Sequence, residues 1–166
     1  SEYYTIIEKV QPDNVEANRR AGLILYELRN YGAAVGFLEK VAELASGDER
    51  VEHSLAEIYV KNKQFGKAMH LLNNVINALD SQDPHVYLTR AKCNLRLENY
   101  DQTIADCEFA TKDPKNVDMC RLIQGIAYYH QDEIDLSEEY LSAALIHFSE
   151  DFQELVLDGR SVYSKM

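Results

Sequence analysis

Residues 49–80 read ERVEHSLAEIYVKNKQFGKAMHLLNNVINALD, and the spacing of small and large apolar residues in them indicates the fold. The small residue Ala56 is followed nine positions later by the large apolar Phe65, and a second small residue, Ala68, comes three positions after that. Leu72 then continues the apolar side chains at helical spacing. A short polar segment separates the two halves, so the stretch predicts a helix, a turn and a second helix.

The same pattern returns along the chain at intervals of 34 or 35 residues. The first small position recurs as Gly22, Ala56, Ala91, Gly125 and Gly159. The large apolar position recurs as Tyr31, Phe65, Tyr100 and Ile134, and the second small position as Ala34, Ala68, Thr103 and Ser137. Small side chains let two paired helices approach closely, and the large ones fill the space between pairs. The sequence therefore predicts an array of repeated helix pairs.

This register divides the chain into four complete units between two half-units. Residues 1–14 match the second helix of a preceding unit and residues 152–166 the first helix of a following one. The complete units cover 15–48, 49–83, 84–117 and 118–151. Neither end carries the polar cap that normally closes such an array, so we expect a segment of a longer protein. Alternatively, the open ends at Tyr3–Tyr4 and the C-terminal helix pair with another copy.

The repeated columns resemble the tetratricopeptide-repeat family, whose unit is a 34-residue helix–turn–helix. The likeness covers essentially the whole chain, although the family's first-helix Trp is missing and its terminal Pro survives only at Pro12 and, one residue early, at Pro114. The resemblance implies an all-α, right-handed superhelical array (an α-solenoid) of antiparallel helix pairs. It also implies a protein–protein interaction scaffold or adaptor that binds a peptide or partner on the concave face.

Charge and hydropathy exclude several classes of protein. With 17 Lys and Arg against 28 Asp and Glu, the net charge of −11 opposes binding to a phosphate backbone, so no nucleic-acid partner is expected. No apolar run approaches the roughly 18 residues of a membrane span, so no membrane insertion is expected. The first residues lack the pattern of a signal peptide. Cys93, Cys107 and Cys120 fit reduced core thiols, and we expect a cytoplasmic location.

The sequence contains few residue patterns that indicate catalysis. The five histidines show no pair at metal-ligand spacing, there is no CxxC, and no glycine-rich loop could hold a phosphate. Paired-carboxylate chemistry needs a concave, desolvated site, and we expect the acids mainly in turns and on outer helical faces. We therefore predict a protein that is not an enzyme and that uses no cofactor or metal.

The resemblance places the partner on the first helix of each unit. The predicted groove residues are Arg19, Leu23, Tyr26, Arg50, His53, Lys61, His85, Leu88, Lys92, Leu95, Arg96, Leu122, Ile126 and Tyr129. Their cations predict a positive groove on an acidic protein. Beside them we expect a solvent-facing apolar ladder of Leu88, Leu122 and Val156, joined by Leu95, Ile126 and Tyr129. The predicted partner is an acidic segment with aliphatic anchors.

Several alternatives stay open at this stage. The segment 131–158 carries nine acids without a Lys or Arg, which fits either a solvated face or a docking surface for a basic partner. The family's Lys/Asn/Asn/Lys/Arg clamp for chaperone tails is not reproduced, because its positions hold Arg19, Leu23, Ser54, His85 and Thr89. A co-chaperone of another kind, a regulatory segment of a larger protein, and a self-associating assembly module remain alternative functions.

Overall fold

The computed structural model describes residues 13–145 and 153–166, with the backbone alone for 153–157. These residues form nine α-helices and one short 3-10 helix, and no strand occurs among them. They fall into two compact units, 1–81 and 82–166, and each unit is described by itself. The prediction of an all-α fold built from helix pairs is confirmed.

The first unit contains two helix pairs. Its helices are α1 (Val15–Glu27), α2 (Tyr31–Leu44), α3 (Glu49–Lys61) and α4 (Phe65–Asn77). Helices α1 and α2 form one pair, α3 and α4 form the next, and α2 packs against α3. Asn14, Asn30 and Asp48 cap the helices α1, α2 and α3 by accepting a backbone N–H three residues on. Leu38, Leu55, Ile58 and Leu72 are fully buried between the helices.

The second unit contains two further pairs and one additional helix. Its helices are α5 (Pro84–Arg96), α6 (Tyr100–Ala110), α7 (Val117–His130), α8 (Ile134–Leu145) and α9 (Gln153–Tyr163), with the 3-10 helix at Pro114–Asn116. Helices α5/α6 and α7/α8 pair, α6 packs against α7, and α9 packs against both α7 and α8. The core between them includes Leu122, Ile123 and Leu141. None of the described helices in either unit is both long and apolar enough to cross a bilayer.

The first small column brings paired helices into close contact, as predicted. A Cβ placed on Gly22 would lie 2.6 Å from Leu38 Cδ2, and one placed on Gly125 would lie 2.6 Å from Leu141 Cγ. Real Cβ atoms do not approach this closely, so both glycines are required by the spacing of their helix pairs. Ala56 occupies the equivalent position in the second repeat and is completely buried.

The turn inside each repeat depends on one residue in the left-handed conformation. Arg29, Lys63, Glu98 and Asp132 have φ between 58° and 62°, although none is glycine. In the third repeat Asn99 N donates to Asn94 O at 2.9 Å and Glu98 N donates to Leu95 O at 3.2 Å. The same two bonds recur in the other three repeats, and together they form the Schellman arrangement that ends a helix.

This geometry predicts that Glu98→Gly stabilises the second unit. Glycine adopts positive φ without the penalty of about 1–2 kcal/mol that a side chain incurs, and its extra freedom in the unfolded chain offsets part of that gain. We expect the free energy of unfolding in urea to rise by about 0.5–1 kcal/mol. The control is Leu97→Gly, one residue earlier at negative φ, which should lower it. Equal effects of the two variants would contradict the assigned turn.

The three cysteines are buried and unpaired, as the sequence predicts. Burial raises the pKa of the Cys93 thiol to about 12. The pKa of Cys107 is also raised, chiefly by its hydrogen bond with Cys120 and then by burial. Because the thiolate is the reactive form, Cys93 and Cys107 behave as apolar core residues.

Candidate functional site

The predicted groove cations of the first unit lie next to acidic or aromatic side chains. Arg19 Nε lies 2.5 Å from Asp48 Oδ2, Arg50 pairs with Glu27, and Lys61 Nζ lies 5.1 Å from the centre of the Tyr31 ring. Burial raises the pKa of Asp48, but hydrogen bonds from Arg19 and from backbone N–H groups outweigh it, so this pKa lies below its usual value. The surface is therefore a mixture of charges rather than a positive groove.

The other predicted residues of the first unit differ in exposure. Leu23 is buried, so it belongs to the core and not to a binding surface. Tyr26 is half-buried, and its hydroxyl donates to the carboxylate of Glu57. His53 is half-buried and also has a partner within the chain. On this unit the accessible part of the predicted surface is thus polar and internally bonded.

The predicted solvent-facing ladder of the second unit is wrong. Leu88, Leu95, Leu122 and Ile126 are at most 6% exposed, and all four belong to the hydrophobic core of that unit. The physical reason is that successive first helices pack on one another, as α9 does on α7. The side chain of Leu122 lies so close to Gly159 that it fills the space that a Cβ on Gly159 would need. The 34-residue apolar column therefore fills space between repeats. The side chain of Val156 lies outside the described residues.

Two neighbouring cavities open where the first helices of the second unit end. The smaller, of about 230 Å³, is lined by Leu95, Arg96, Ile126, His130, Asp158 and Ser161. The larger, of about 420 Å³, is lined by Tyr129, His130, Asp132, Ile134, Lys165 and Met166. His130 lines both cavities and stacks on Tyr100 with ring centres 5.2 Å apart. We call this pair of cavities the first-helix recess.

The recess combines an apolar floor with a charged wall. Leu95 and Ile126 lie at its base, at the edge of the core. Arg96 NH1 contacts Asp158 Oδ2 at 2.8 Å, and the two side chains are 31% and 42% exposed. Exposed ion pairs of this kind contribute at most about 1 kcal/mol, so a carboxylate from another molecule can compete with Asp158 for Arg96.

The recess unites four of the predicted groove residues: Leu95, Arg96, Ile126 and Tyr129. Its wall also contains His130, Asp158, Ser161 and Lys165, and the last three were not predicted from the sequence as groove residues. Lys92 and His85 lie on α5 outside the cavity linings, half-buried and exposed respectively, and both have contacts within the chain. Asp158 directly precedes Gly159, which belongs to the first small column, so the register places Asp158 on the last first helix of the chain. That position is the signal from which Asp158 could have been predicted as a residue of this surface.

The acidic segment 131–158 lies only partly within the described residues. Asp132, Glu133, Asp135, Glu138 and Glu139 are exposed, around the turn before α8 and along that helix. Asp158 faces the recess, while Glu150, Asp151 and the side chain of Glu154 lie outside the described part of the chain. Across residues 13–145 and the described C-terminal side chains, no group of three His, Cys, Asp or Glu residues could hold a metal ion.

Two acids contradict the expectation that carboxylates lie in turns and on outer faces. Asp106 is buried on α6, where Arg90 binds both of its oxygens at 2.9 and 2.7 Å. Asn94 and Gln102 donate to it as well, at 3.0 and 2.9 Å. Glu52 on α3 is also buried and accepts the backbone N–H of Gly47 at 2.8 Å. These carboxylates tie helices and loops together, because buried charges require full hydrogen bonding.

The repeated helix pairs, the close-packed small columns and the shared turn geometry define a tetratricopeptide-type repeat protein, a class that typically serves in protein interaction. Residues 27–110, just over half of the chain, match the family described as anaphase-promoting complex, cyclosome, subunit 3. The chain belongs to this family of tetratricopeptide-type repeats.

Curated relatives match most of this chain at about a quarter sequence identity. The chain is 26% identical over 150 residues to the DnaJ protein P58IPK homolog B of Oryza sativa subsp. japonica, covering 82% of this chain and 32% of the relative. It is 25% identical over 128 residues to the DnaJ homolog subfamily C member 7 homolog of Dictyostelium discoideum, covering 73% of this chain and 23% of the relative. The chain thus spans a third or less of the curated relatives that it matches.

Two crystal structures share the fold at low sequence identity. YrrB, described as a tetratricopeptide-repeat protein with an unusual peptide-binding site, gives a TM-score of 0.69 at 14% identity, covering 99% of this chain and 84% of that one. MamA gives a TM-score of 0.71 at 17% identity, covering 99% of this chain and 88% of that one. These likenesses establish the fold alone.

Proposed function

We propose that this chain is a protein-interaction module that binds a partner segment in the first-helix recess of its second unit. The observation that carries the proposal is the juxtaposition of an apolar floor, Leu95 and Ile126, with the exposed guanidinium of Arg96. Polar groups that converge on a concave surface can fix the orientation of a bound segment. Other predicted partner contacts, which line neither cavity of the recess, stay predictions for each unit by itself: Arg19, Tyr26, Arg50, His53 and Lys61 in the first unit, and His85 and Lys92 in the second.

The proposed partner segment is acidic with aliphatic anchors. A partner carboxylate would replace Asp158 at Arg96, and an aliphatic side chain would contact Leu95 and Ile126. The charge of Arg96 would fix the register of the segment and carry most of the recognition, because Leu95 and Ile126 are at most 6% exposed and offer only a small apolar contact. Arg96 already pairs with Asp158, and the partner carboxylate would replace that pair. The binding free energy therefore includes only the difference between the new ion pair and the Arg96–Asp158 pair. A short segment bound here would therefore bind weakly.

The test is a selection followed by a charge reversal. Dodecapeptides selected from a random display library on the immobilised chain should be enriched in Asp or Glu near Leu, Ile or Met. Arg96→Glu should weaken binding of the selected peptide about ten-fold, which corresponds to about 1.4 kcal/mol, because it replaces attraction by repulsion. Fluorescence anisotropy of the labelled peptide measures the change.

The matched control is Arg121→Glu. Arg121 also lies on a first helix, forms an exposed pair with Asp118 at 3.5 Å, and lines neither cavity of the recess. Its reversal should leave the affinity nearly unchanged. Equal losses in the two variants would show a general effect of charge and would contradict a site at Arg96.

A co-chaperone role is the second candidate, and it rests on the two relatives named as DnaJ proteins. The chain would then bind unfolded polypeptide rather than a chaperone tail, because the family's clamp residues are not reproduced. Suppression of the aggregation of chemically denatured luciferase measures this activity, and an unchanged rate of aggregation would remove the candidate. Self-association through Tyr3, Tyr4 and the C-terminal helix remains a further prediction, which light scattering at several concentrations tests; Tyr3 and Tyr4 lie outside the described residues. A cytoplasmic location also stays a prediction.

A further inference from the structure

A second, separate cleft lies on the side of the first unit where second helices meet. It has a volume of about 440 Å³ and lies between α2 and α4, with α3 as its floor. Leu55, Leu71 and Ala42 supply apolar walls, and the Tyr59 ring closes the base. Cavities that bind ligands span about 300–1,000 Å³, so the cleft is large enough for a long side chain. None of the predicted groove residues lies on a second helix.

One carboxylate, that of Glu39, lies at the edge of this cleft. Tyr59 Oη donates to Glu39 Oε1 at 2.6 Å, and the Glu39 side chain is exposed, so its second carboxylate oxygen can accept a further hydrogen bond. Within residues 13–145 and 153–166, Glu39 forms no ion pair with any Lys, Arg or His. Lys67 also lines the cleft and balances Glu39 in formal charge, but it forms no ion pair with that carboxylate, so Glu39 can attract the positive charge of a second cation.

The Tyr59 ring already attracts an ammonium group. Lys67, which lines the same cleft, places its Nζ 5.2 Å from the centre of the ring. This is the distance of a cation–π contact, and such contacts contribute little when the cation is exposed, as Lys67 is. Lys67 can therefore swing away at low cost and leave the ring and the Glu39 carboxylate to an incoming cation.

We propose that this cleft is a docking site for a basic aliphatic side chain of a partner protein, a lysine flanked by apolar residues. The lysine stem would lie against Leu55, Leu71 and Ala42, and its ammonium group would bind between the Tyr59 ring and Glu39. Lysine fits this arrangement because its long stem covers apolar surface while its head stays at the polar edge. The site is independent of the first-helix recess, which lies wholly in the second unit and takes a segment of opposite charge.

The test compares two peptide probes of opposite charge on the full chain. Acetyl-Leu-Lys-Leu-amide and acetyl-Leu-Glu-Leu-amide are titrated to about 10 mM, which detects dissociation constants in the millimolar range, while backbone amide shifts are followed by NMR. The lysine peptide should give saturable shifts at Gly66, Lys67 and Leu71, and the glutamate peptide should bind more weakly. Absence of saturable shifts with the lysine peptide, or tighter binding of the glutamate peptide, overturns the proposal.

Two variants identify the charges that act. Glu39→Gln should weaken the binding of the lysine peptide about three-fold, since the variant removes the counter-charge and keeps an acceptor for Tyr59. Lys67→Ala should strengthen the binding of the lysine peptide by a similar factor, because this variant removes the ammonium group that competes for the Tyr59 ring. The control is Glu43→Gln, one helical turn along α2 and outside the cleft lining, which should change nothing. Weaker binding in Lys67→Ala, or equal effects of the Glu39 and Glu43 variants, overturns the proposal.

Discussion

Asp106→Ala should lower the free energy of unfolding of the second unit by about 3–5 kcal/mol. Asp106 and Arg90 are only 2% and 11% exposed, and the guanidinium binds the carboxylate through two hydrogen bonds. Removal of the carboxylate leaves a buried positive charge and also deprives Asn94 of its acceptor. Urea unfolding followed by circular dichroism, with hydrogen exchange of α5 and α6 to localise the effect, measures the loss.

The control for this prediction lies on the same helix. Glu108 is exposed, so Glu108→Ala should change stability by no more than about 0.5 kcal/mol. The double variant Arg90→Met with Asp106→Leu should recover much of the loss, because an apolar pair leaves no buried charge unpaired. A loss below about 1 kcal/mol for Asp106→Ala would show that the pair does not hold α5 to α6.

Gly125→Ala should destabilise the second unit by about 1–3 kcal/mol. The added methyl group would lie 2.6 Å from Leu141 Cγ and 3.1 Å from the backbone nitrogen of Leu141, so side-chain rotation alone cannot relieve the contact. Helices α7 and α8 must then move apart, which opens gaps around the buried Leu141. The change in urea midpoint at constant slope reports the loss.

The matched control, Gly36→Ala, should change the stability in the opposite direction. A Cβ at Gly36, inside α2, would meet nothing within 4 Å. Gly36→Ala should therefore stabilise the protein by about 0.5–1 kcal/mol, since alanine favours the helix over glycine. If both substitutions stabilise, the small-residue column does not set the spacing of the helix pairs.

The periodic features of the sequence were sufficient for the fold. Gly22 and Gly125 recur at the same register as Ala56 and Ala91, and a close helix contact is the simplest cause of such a column. The turns at Arg29–Asn30 and Glu98–Asn99 also follow from the register. Their left-handed residues do not, because Arg, Lys and Glu carry no preference for positive φ and the conformation is imposed by the flanking helices.

The binding surface was harder to predict. Leu88 and Leu122 share a 34-residue spacing whether they face solvent or the next repeat, and only the packing of α7 against α5 and of α9 against α7 distinguishes these cases. Similarly, the charge of Arg96 is visible in the sequence, but its partner Asp158 is 62 residues away. Pairing across three successive first helices depends on tertiary geometry, so a list of basic residues overstates the positive charge of the surface.

The buried acids were missed for a related reason. Asp106 looks like any other acid on a helix, because burial depends on the width of the contact between α5 and α6. Its partners Arg90, Asn94 and Gln102 are spread over two helices. A polar network of this kind has no fixed spacing, which is why periodicity identifies the apolar core and not the charged contacts inside it.

Chemical-shift mapping of the selected acidic peptide on the uniformly labelled chain tests the proposed binding function most directly. We expect the largest backbone amide shifts at Leu95, Arg96, Ile126 and His130, and these shifts should be lost in Arg96→Glu and kept in Arg121→Glu. Shifts confined to the second helices α2, α4, α6 and α8, with none around the first-helix recess, would contradict the proposed binding function.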